Sequence, residues 1–229
     1  MFSRKNPSPD YVELLQHYKN MHEEGYKRNI NGQDIYVSSE DSFPGNELPK
    51  YATPIKQIIE ATNSKSILDY GAGKGKQYEM PIKVGEITYK SIQDYWAVNE
   101  IIKYEPALPE HNNLPDKPVD GVISTDVLEH IPLNDISWVV DEMFSLATKF
   151  VFVNIACYPA LARLPDGRNA HCTIKPPQWW SGFFHFLGHK YPNHKYLLGM
   201  IAPTTDPMGN VSNQLIWVSN MALSQKGEM

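Results

Sequence analysis

The fold is decided by residues 66–76, Ser66-Ile67-Leu68-Asp69-Tyr70-Gly71-Ala72-Gly73-Lys74-Gly75-Lys76. An apolar run directly before a glycine-rich turn is typical of a buried strand that ends in a ligand-binding loop. Glycine has no Cβ and adopts positive φ at little cost, so such a turn lets the backbone come close to a ligand. We therefore predict a nucleotide-cofactor loop at this turn.

The spacing and charge of the turn narrow the choice of cofactor. In the dinucleotide fingerprint the third glycine follows the second by three residues, and the pyrophosphate lies at the N-terminus of the next helix. Here that position is Lys76, and the third glycine comes early, at Gly75. The carboxylate of Asp69 would repel a pyrophosphate, whereas it would attract the ammonium and sulfonium groups of S-adenosylmethionine, which carries no phosphate.

Two further stretches support a nucleoside site. Residues 101–105 predict a second strand that ends in Glu105, an acid that can accept hydrogen bonds from both ribose hydroxyls. The interval from the glycines to Glu105 exceeds the roughly 20 residues expected, so residues 77–99 must hold an insertion or a long crossover. Residues 119–132 predict an apolar strand that ends in small polar residues and an acid, at the edge where open α/β sheets bind ligands.

Taken in order, ILDYGAGKG, YEPA and DGVISTDVLEHIP resemble a class I S-adenosylmethionine-dependent methyltransferase of the Rossmann-like kind. The resemblance covers about residues 50–156. It implies an α/β fold whose seven-stranded, mostly parallel sheet carries helices on both faces and an antiparallel last strand. It also implies a set of cofactor-binding residues: Asp69, Tyr70, Gly71, Ala72, Gly73, Gly75, Glu105, Asn112 for the adenine, Thr125, Asp126 and Val127.

The segment between Glu105 and Val122 departs from that family pattern. It is too short for a helix, a strand and another helix, and it contains Pro106, Pro109, Pro115 and Pro118. We expect a pared-down sheet edge, with the third strand very short or missing and the adenine pocket built partly from loop.

The substrate side is predicted from the loop at residues 158–171, which follows a strand and is dense in charged and amide groups. Its candidate substrate-binding residues are Arg163, Asp166, Arg168, Asn169 and His171. Histidine can take a proton from a hydroxyl or an amine near neutral pH. His171, then Asp126, then His130 are the catalytic candidates, although a histidine that only hydrogen-bonds the loop remains an alternative.

No metal is predicted. His185 and His189 have a metal-compatible spacing, but the sequence offers no third ligand beside them. Cys157 and Cys172 lack CxxC spacing and indicate neither a disulfide framework nor a zinc site.

Composition bounds the remaining possibilities. The 229 residues are 41% hydrophobic and suffice for one α/β domain with appendages. We predict an N-terminal helix and arm at residues 1–49, acting as a cleft lid or on the substrate side, and a cofactor-binding domain at residues 50–229. The net charge of −5 gives little support for extended nucleic-acid binding. We expect a cytoplasmic monomer or homodimer without membrane contact.

Hydrophobic spacing places the principal elements. Helices are predicted at residues 10–24, 54–62, 92–98, 133–148 and 176–187, and strands at 67–70, 101–105, 122–124, 150–155, 195–201 and 214–219. Residues 26–49 are predicted as an ordered loop or arm.

The sequence therefore favours methyl transfer from S-adenosylmethionine, with S-adenosylhomocysteine as product, to an oxygen or nitrogen of a small, sugar-like or nucleotide-sugar-like acceptor. Two alternatives stay open. One is an NAD-dependent Rossmann oxidoreductase, and the other is a non-catalytic cofactor-binding accessory protein.

Overall fold

A computed structural model describes residues 1–30 and 32–221 of the chain, which form an α/β fold around a six-stranded, mostly parallel sheet flanked by helices. The helices are α1 (Pro9–Glu24), α2 (Ala52–Thr62), α3 (Ile92–Trp96), α4 (Leu133–Leu146) and α5 (Pro177–Lys190). The strands are β1 (Tyr26–Ile30), β2 (Gln33–Val37), β3 (Ser66–Tyr70), β4 (Ile82–Val84), β5 (Ile87–Tyr89), β6 (Glu100–Tyr104), β7 (Val119–Thr125), β8 (Ala147–Ala156), β9 (Lys195–Thr205) and β10 (Val211–Ser219).

The central sheet has the strand order β10-β9-β8-β7-β3-β6, and β10 alone runs antiparallel to its neighbour. The antiparallel last strand is as expected. The sheet has six strands rather than seven, because residues 105–118 between β6 and β7 form a single 3₁₀ turn at Pro109–His111 and no strand. Proline lacks the N–H that a sheet ladder needs, which explains the pared-down edge at β6.

Alternate residues of the strands pack on opposite faces of the sheet. Leu68 packs with α4 and α5 in one core, whereas its neighbour Ile67 packs with α2 and α3 in the other. Both faces of the central strands are therefore covered by helices, which is why these strands have near-continuous apolar sequences.

Two segments contain more structure than their sequences predict. Residues 26–49, expected to be loop or arm, contain the antiparallel hairpin β1–β2. The long interval at residues 77–99 contains the hairpin β4–β5 and the five-residue helix α3.

Residues 9–51, here called the cover, comprise α1, the hairpin β1–β2 and the segment up to the 3₁₀ turn Leu48–Tyr51. Leu14 and Met21 of α1 pack against Leu164 and Ala170 in the loop after β8. This packing holds α1 across the carboxyl end of the sheet. Of the domain predicted at 50–229, residues 222–229 lie outside the described part of the chain.

Candidate functional site

A cavity of about 510 Å³ lies at the carboxyl ends of β3, β6, β7 and β8, beneath the cover. Its volume is within the range of small-molecule sites. The position is the one that open α/β sheets use for ligands, because the polar strand ends and their loops converge there. Of the predicted site residues, those lining the cavity are Asp69, Tyr70, Gly71, Ala72, Gly73, Glu105, Thr125, Asp126, Val127, His130 and His171.

The glycine turn adopts the conformation that its sequence predicts, but its closest neighbours belong to the chain itself. Gly71 and Gly73 have φ of 89° and 55°. A Cβ on Gly73 would lie 2.3 Å from the carbonyl oxygen of Phe43, and one on Gly71 would lie 2.3 Å from Cγ2 of Val127. The glycines are thus explained by the approach of the cover and of residue 127, and not by a ligand lying on the turn.

Asp69 is the buried charge of the site, at 2% exposure. Its Oδ2 accepts hydrogen bonds from Tyr78 Oη at 2.8 Å and from Gln77 Nε2 at 3.4 Å. Its Oδ1 has no hydrogen-bond partner among the described residues. Burial raises the pKa of Asp69 from 3.8 to about 7, although the hydrogen bond from Tyr78 opposes the shift.

Glu105 follows β6 directly and contacts the glycine turn. Its Oε2 accepts from the Gly73 amide at 3.2 Å, and its Oε1 accepts from the Ala107 amide at 3.1 Å. Burial raises its pKa, and the two backbone hydrogen bonds oppose that shift. Each carboxylate oxygen has a further lone pair, so the group retains acceptor capacity toward the cavity.

The chain after the glycine turn does not form the structure that binds a pyrophosphate. A three-residue 3₁₀ turn, Lys76–Tyr78, follows Gly75 in place of an α-helix. The ammonium groups of Lys74 and Lys76 donate to the backbone carbonyls of Ser39 and Glu40 in the cover. The turn therefore offers neither a helix N-terminus nor a free lysine to a phosphate.

The three catalytic candidates come together. One ligand atom from each of Asp126, His130 and His171 lies within 4.8 Å of the others. Asp126 follows β7, His130 ends the 3₁₀ turn Leu128–His130, and His171 ends the loop after β8. Burial lowers the pKa of His130 from 6.5 to about 4, so its imidazole is neutral at physiological pH.

The other predicted substrate residues do not line the cavity. The Arg168 guanidinium pairs with Asp166 and with Glu13 of α1, and Arg163 donates to the Gly167 carbonyl. The Asn169 side chain bonds the backbone of Ala160 and His171. These groups hold the loop and the cover together. Gly75 and the exposed Asn112 likewise lie outside the lining, which leaves Pro106 and Ala107 as the lining residues that follow Glu105.

The cover contributes aromatic residues that the sequence analysis did not select. Tyr18 of α1 places its Oη 2.6 Å from Nδ1 of His130, and Phe43 stacks on Tyr26 at the cavity wall. Tyr158 also lines the cavity. The available signal was the helical spacing of Tyr11 and Tyr18 on a helix predicted to cover the cleft.

No protein-family model matches the chain, and no curated protein matches it. The resemblance to class I methyltransferases therefore stays a prediction. Within residues 1–30 and 32–221, no helix has the length and apolar character needed to cross a bilayer.

Proposed function

We propose that the cavity binds S-adenosylmethionine and that the protein transfers its methyl group to an oxygen or nitrogen of a small or sugar-like acceptor. The observation that carries the proposal is the unpartnered Oδ1 of the buried Asp69 beside the glycine turn. A buried carboxylate oxygen without a donor is costly, and a ligand ammonium would supply that donor. Glu105, at the end of the neighbouring strand, is suited to the ribose hydroxyls.

The same surroundings argue against a dinucleotide. A pyrophosphate brought to this turn would meet the Asp69 carboxylate without the compensation of a helix N-terminus or of Lys74 and Lys76, which bond the cover. The strand order does not separate the two proposals, since the parallel part of the sheet from β6 to β9 follows the order of dinucleotide-binding folds.

Methyl transfer requires the acceptor atom to be aligned with the methyl group of the cofactor. The sulfonium makes the methyl group of the cofactor reactive. The acceptor atom forms a bond to the methyl carbon as the carbon–sulfur bond breaks, and the acceptor proton passes to a base. His171 and His130 line the cavity and can take that proton at Nε2, while the cover excludes water from the reacting groups.

Isothermal titration with S-adenosylmethionine, S-adenosylhomocysteine and NAD tests the proposal. We expect micromolar-range binding of the first two, lost or strongly weakened in Asp69→Asn. Glu86→Gln is the matched control, because Glu86 is exposed in the turn between β4 and β5. Binding of NAD alone, or equal binding by wild type and Asp69→Asn, would overturn the assignment.

Catalysis needs a separate measurement. We expect release of S-adenosylhomocysteine when the protein is incubated with S-adenosylmethionine and fractionated cell extract, and labelled methyl incorporation identifies the fraction that holds the acceptor. Cofactor binding without turnover in any fraction would favour the accessory-protein alternative.

A further inference from the structure

The side chains of Asp126, His130 and His171 meet in the cavity. One ligand atom from each of them lies within 4.8 Å of the others. The fully buried carboxyl group of Glu129 lies beside Asp126 and forms a hydrogen bond with it. This part of the cavity is rich in acceptor atoms, which a bound cation would stabilise electrostatically.

Backbone carbonyl oxygens lie next to Nδ1 of both rings. Nδ1 of His171 contacts the carbonyl oxygen of Tyr158, and Nδ1 of His130 lies 3.0 Å from the carbonyl oxygen of Ala170. A carbonyl only accepts hydrogen bonds, so Nδ1 of His171 carries the proton. Nδ1 of His130 also lies 2.6 Å from Tyr18 Oη, and it carries the proton when it donates to that oxygen or to the Ala170 carbonyl. Nε2 of each ring is then the free lone pair, and neither Nε2 has a hydrogen-bond partner among residues 1–30 and 32–221.

His171 gives this cluster the character of a built site. Its side chain is fixed by the Tyr158 carbonyl, and the residue is only 7% exposed while lining the cavity. Histidine ligands of metals commonly donate their second ring N–H to a backbone carbonyl, which fixes the ring and raises its basicity. Both His130 and His171 show that arrangement.

Asp126 has the left-handed conformation, with φ of 59°, directly after β7. A non-glycine residue in this region is strained, and such residues cluster at functional sites. Here the conformation directs residue 126 to the cavity, where its carboxylate completes the set with the two imidazoles.

We propose that Asp126, His130 and His171 bind a divalent transition-metal ion. Two imidazoles and one carboxylate form a donor set suited to such ions, and three protein ligands leave positions for substrate. Donor atoms around one ion lie about 3–4 Å apart. The set therefore has to contract by about 1 Å, which rotation of the exposed Asp126 side chain allows.

The position of the ion assigns it a role, and this part rests on the proposed methyl transfer. Asp69 and Glu105 lie at the ends of β3 and β6, whereas the three ligands lie after β7 and β8. The open positions would take the oxygen of an acceptor hydroxyl. Metal binding would replace proton acceptance by His130 and His171 as the means of activation, because a bound Nε2 has no lone pair for a proton. The ion would lower the pKa of that hydroxyl, the proton would leave to solvent, and the oxygen would form its bond to the methyl carbon as the carbon–sulfur bond breaks.

The experiment titrates chelator-treated protein with Co²⁺, whose visible absorption reports nitrogen and oxygen coordination, and then with Zn²⁺ in competition. We expect one tight site, weakened at least tenfold in Asp126→Asn and in His171→Ala. His189→Ala is the control: the exposed pair His185 and His189 has ring centroids 4.9 Å apart on α5, outside the cavity, and its loss should leave the tight site unchanged.

Equal Co²⁺ affinity in wild type, Asp126→Asn and His171→Ala, or loss of the site in His189→Ala alone, would overturn the proposal. Circular dichroism checks that each variant is folded, and Asp126→Asn keeps the test valid if His171→Ala unfolds, because Asp126 is exposed. Titration of the metal-free protein with S-adenosylhomocysteine is a separate measurement. Loss of cofactor binding with the Co²⁺ site intact overturns the proposed function alone, and the converse overturns the metal site alone.

Discussion

At the scale of single residues, the site depends on carboxylates that are buried before any ligand arrives. Burial disfavours the ionised form of a carboxylate, and at Asp69 it raises the pKa to about 7. A ligand ammonium would favour the ionised form. Protonation of Asp69 and binding of the ligand therefore compete, and that competition is measurable.

We predict that affinity for S-adenosylhomocysteine rises about tenfold between pH 6 and pH 8, because the ionised fraction of a group with a pKa of about 7 rises by that factor. Calorimetry across this range measures it. In the ligand-free protein, the contribution of Asp69 to the stability of the fold changes with pH in the opposite direction. The raised pKa stabilises the fold below about pH 4, and that stabilisation is lost as pH rises through about 7.

Asp69→Asn is the control for both effects, since it cannot titrate. We expect its affinity to be low and flat with pH, and its unfolding free energy to fall less than that of wild type between pH 4 and pH 8. A wild-type affinity that does not change from pH 6 to pH 8 would show that Asp69 does not face the ligand charge.

The sequence located the cavity residues at the strand ends because the carboxyl ends of adjacent parallel strands meet at one edge. That rule brings Asp69, Glu105 and Asp126 together without further information. The rule does not predict which groups the loop after β8 contacts. Arg168 looked available for a substrate, but α1 brings Glu13 to it, and a pairing across 155 positions leaves no local signal.

The proximity of His130 and His171 in the folded chain could not be predicted from the sequence for the same reason. The first follows β7 and the second follows β8 after a 14-residue loop, residues 157–170, whose path is fixed by contacts with α1. Spacing along the chain therefore gave no sign that His130 and His171 meet, whereas the folded loop places two imidazoles and a carboxylate together.

At the scale of elements, the cover is attached to the sheet domain through the start of α1. Asp135, fully buried at the start of α4, accepts from the Ser8 amide at 3.0 Å, from the Ser8 hydroxyl, and from Trp138 Nε1 at 2.7 Å. Ser8 in turn caps α1 by accepting from the Tyr11 amide. One carboxylate thus connects α4 to the N-terminus of the helix that roofs the cavity.

We predict that Asp135→Ala lowers the free energy of unfolding by about 3 kcal/mol, since hydrogen bonds to a buried carboxylate are lost and the Ser8 amide is left without a partner. Urea unfolding measures the loss, and limited proteolysis should cut residues 25–49 faster.

Asp141→Ala, on the same helix, is the matched control. Asp141 pairs with the exposed Lys190, and we expect a loss below about 1 kcal/mol. Equal effects of the two substitutions would mean that Asp135 does not anchor the cover.

The elements that the sequence predicted correctly are those with a buried face. The amphipathic helices α1, α2 and α4 and the buried strands have a periodic pattern of apolar residues. The hairpins β1–β2 and β4–β5 are mostly exposed on both faces. Without a buried face there is no alternation to detect, so these strands were missed.

At the scale of the whole molecule, the cover and the carboxyl end of the sheet line the cavity together. The Lys74 amide donates to the Phe43 carbonyl at 2.8 Å, joining the glycine turn to the cover. Binding at the turn should therefore stabilise both sides of that contact.

We predict that saturating S-adenosylhomocysteine slows amide hydrogen exchange in residues 9–51 and at Lys74 together. Exchange in α5, which does not line the cavity, is the internal control and should be unchanged. Mass spectrometry of exchanged peptides measures both. Slowing confined to the glycine turn would contradict coupling between the ligand and the cover.

The overall architecture could be predicted because strand alternation and crossover length constrain it strongly. The four prolines before β7 indicated the missing strand correctly. How the first fifty residues pack on the sheet could not be predicted, because their contacts join distant parts of the chain.

Those distant contacts also fix an order of events during synthesis. Ser8, Arg4 and Glu13 find their partners 127, 138 and 155 positions later in the chain. At about 5–20 residues per second, the ribosome takes roughly 6–30 s to make the residues between. The cover therefore leaves the ribosome first but completes these contacts only after residue 168 has been made, so through that interval the growing chain lacks the roof of its cavity.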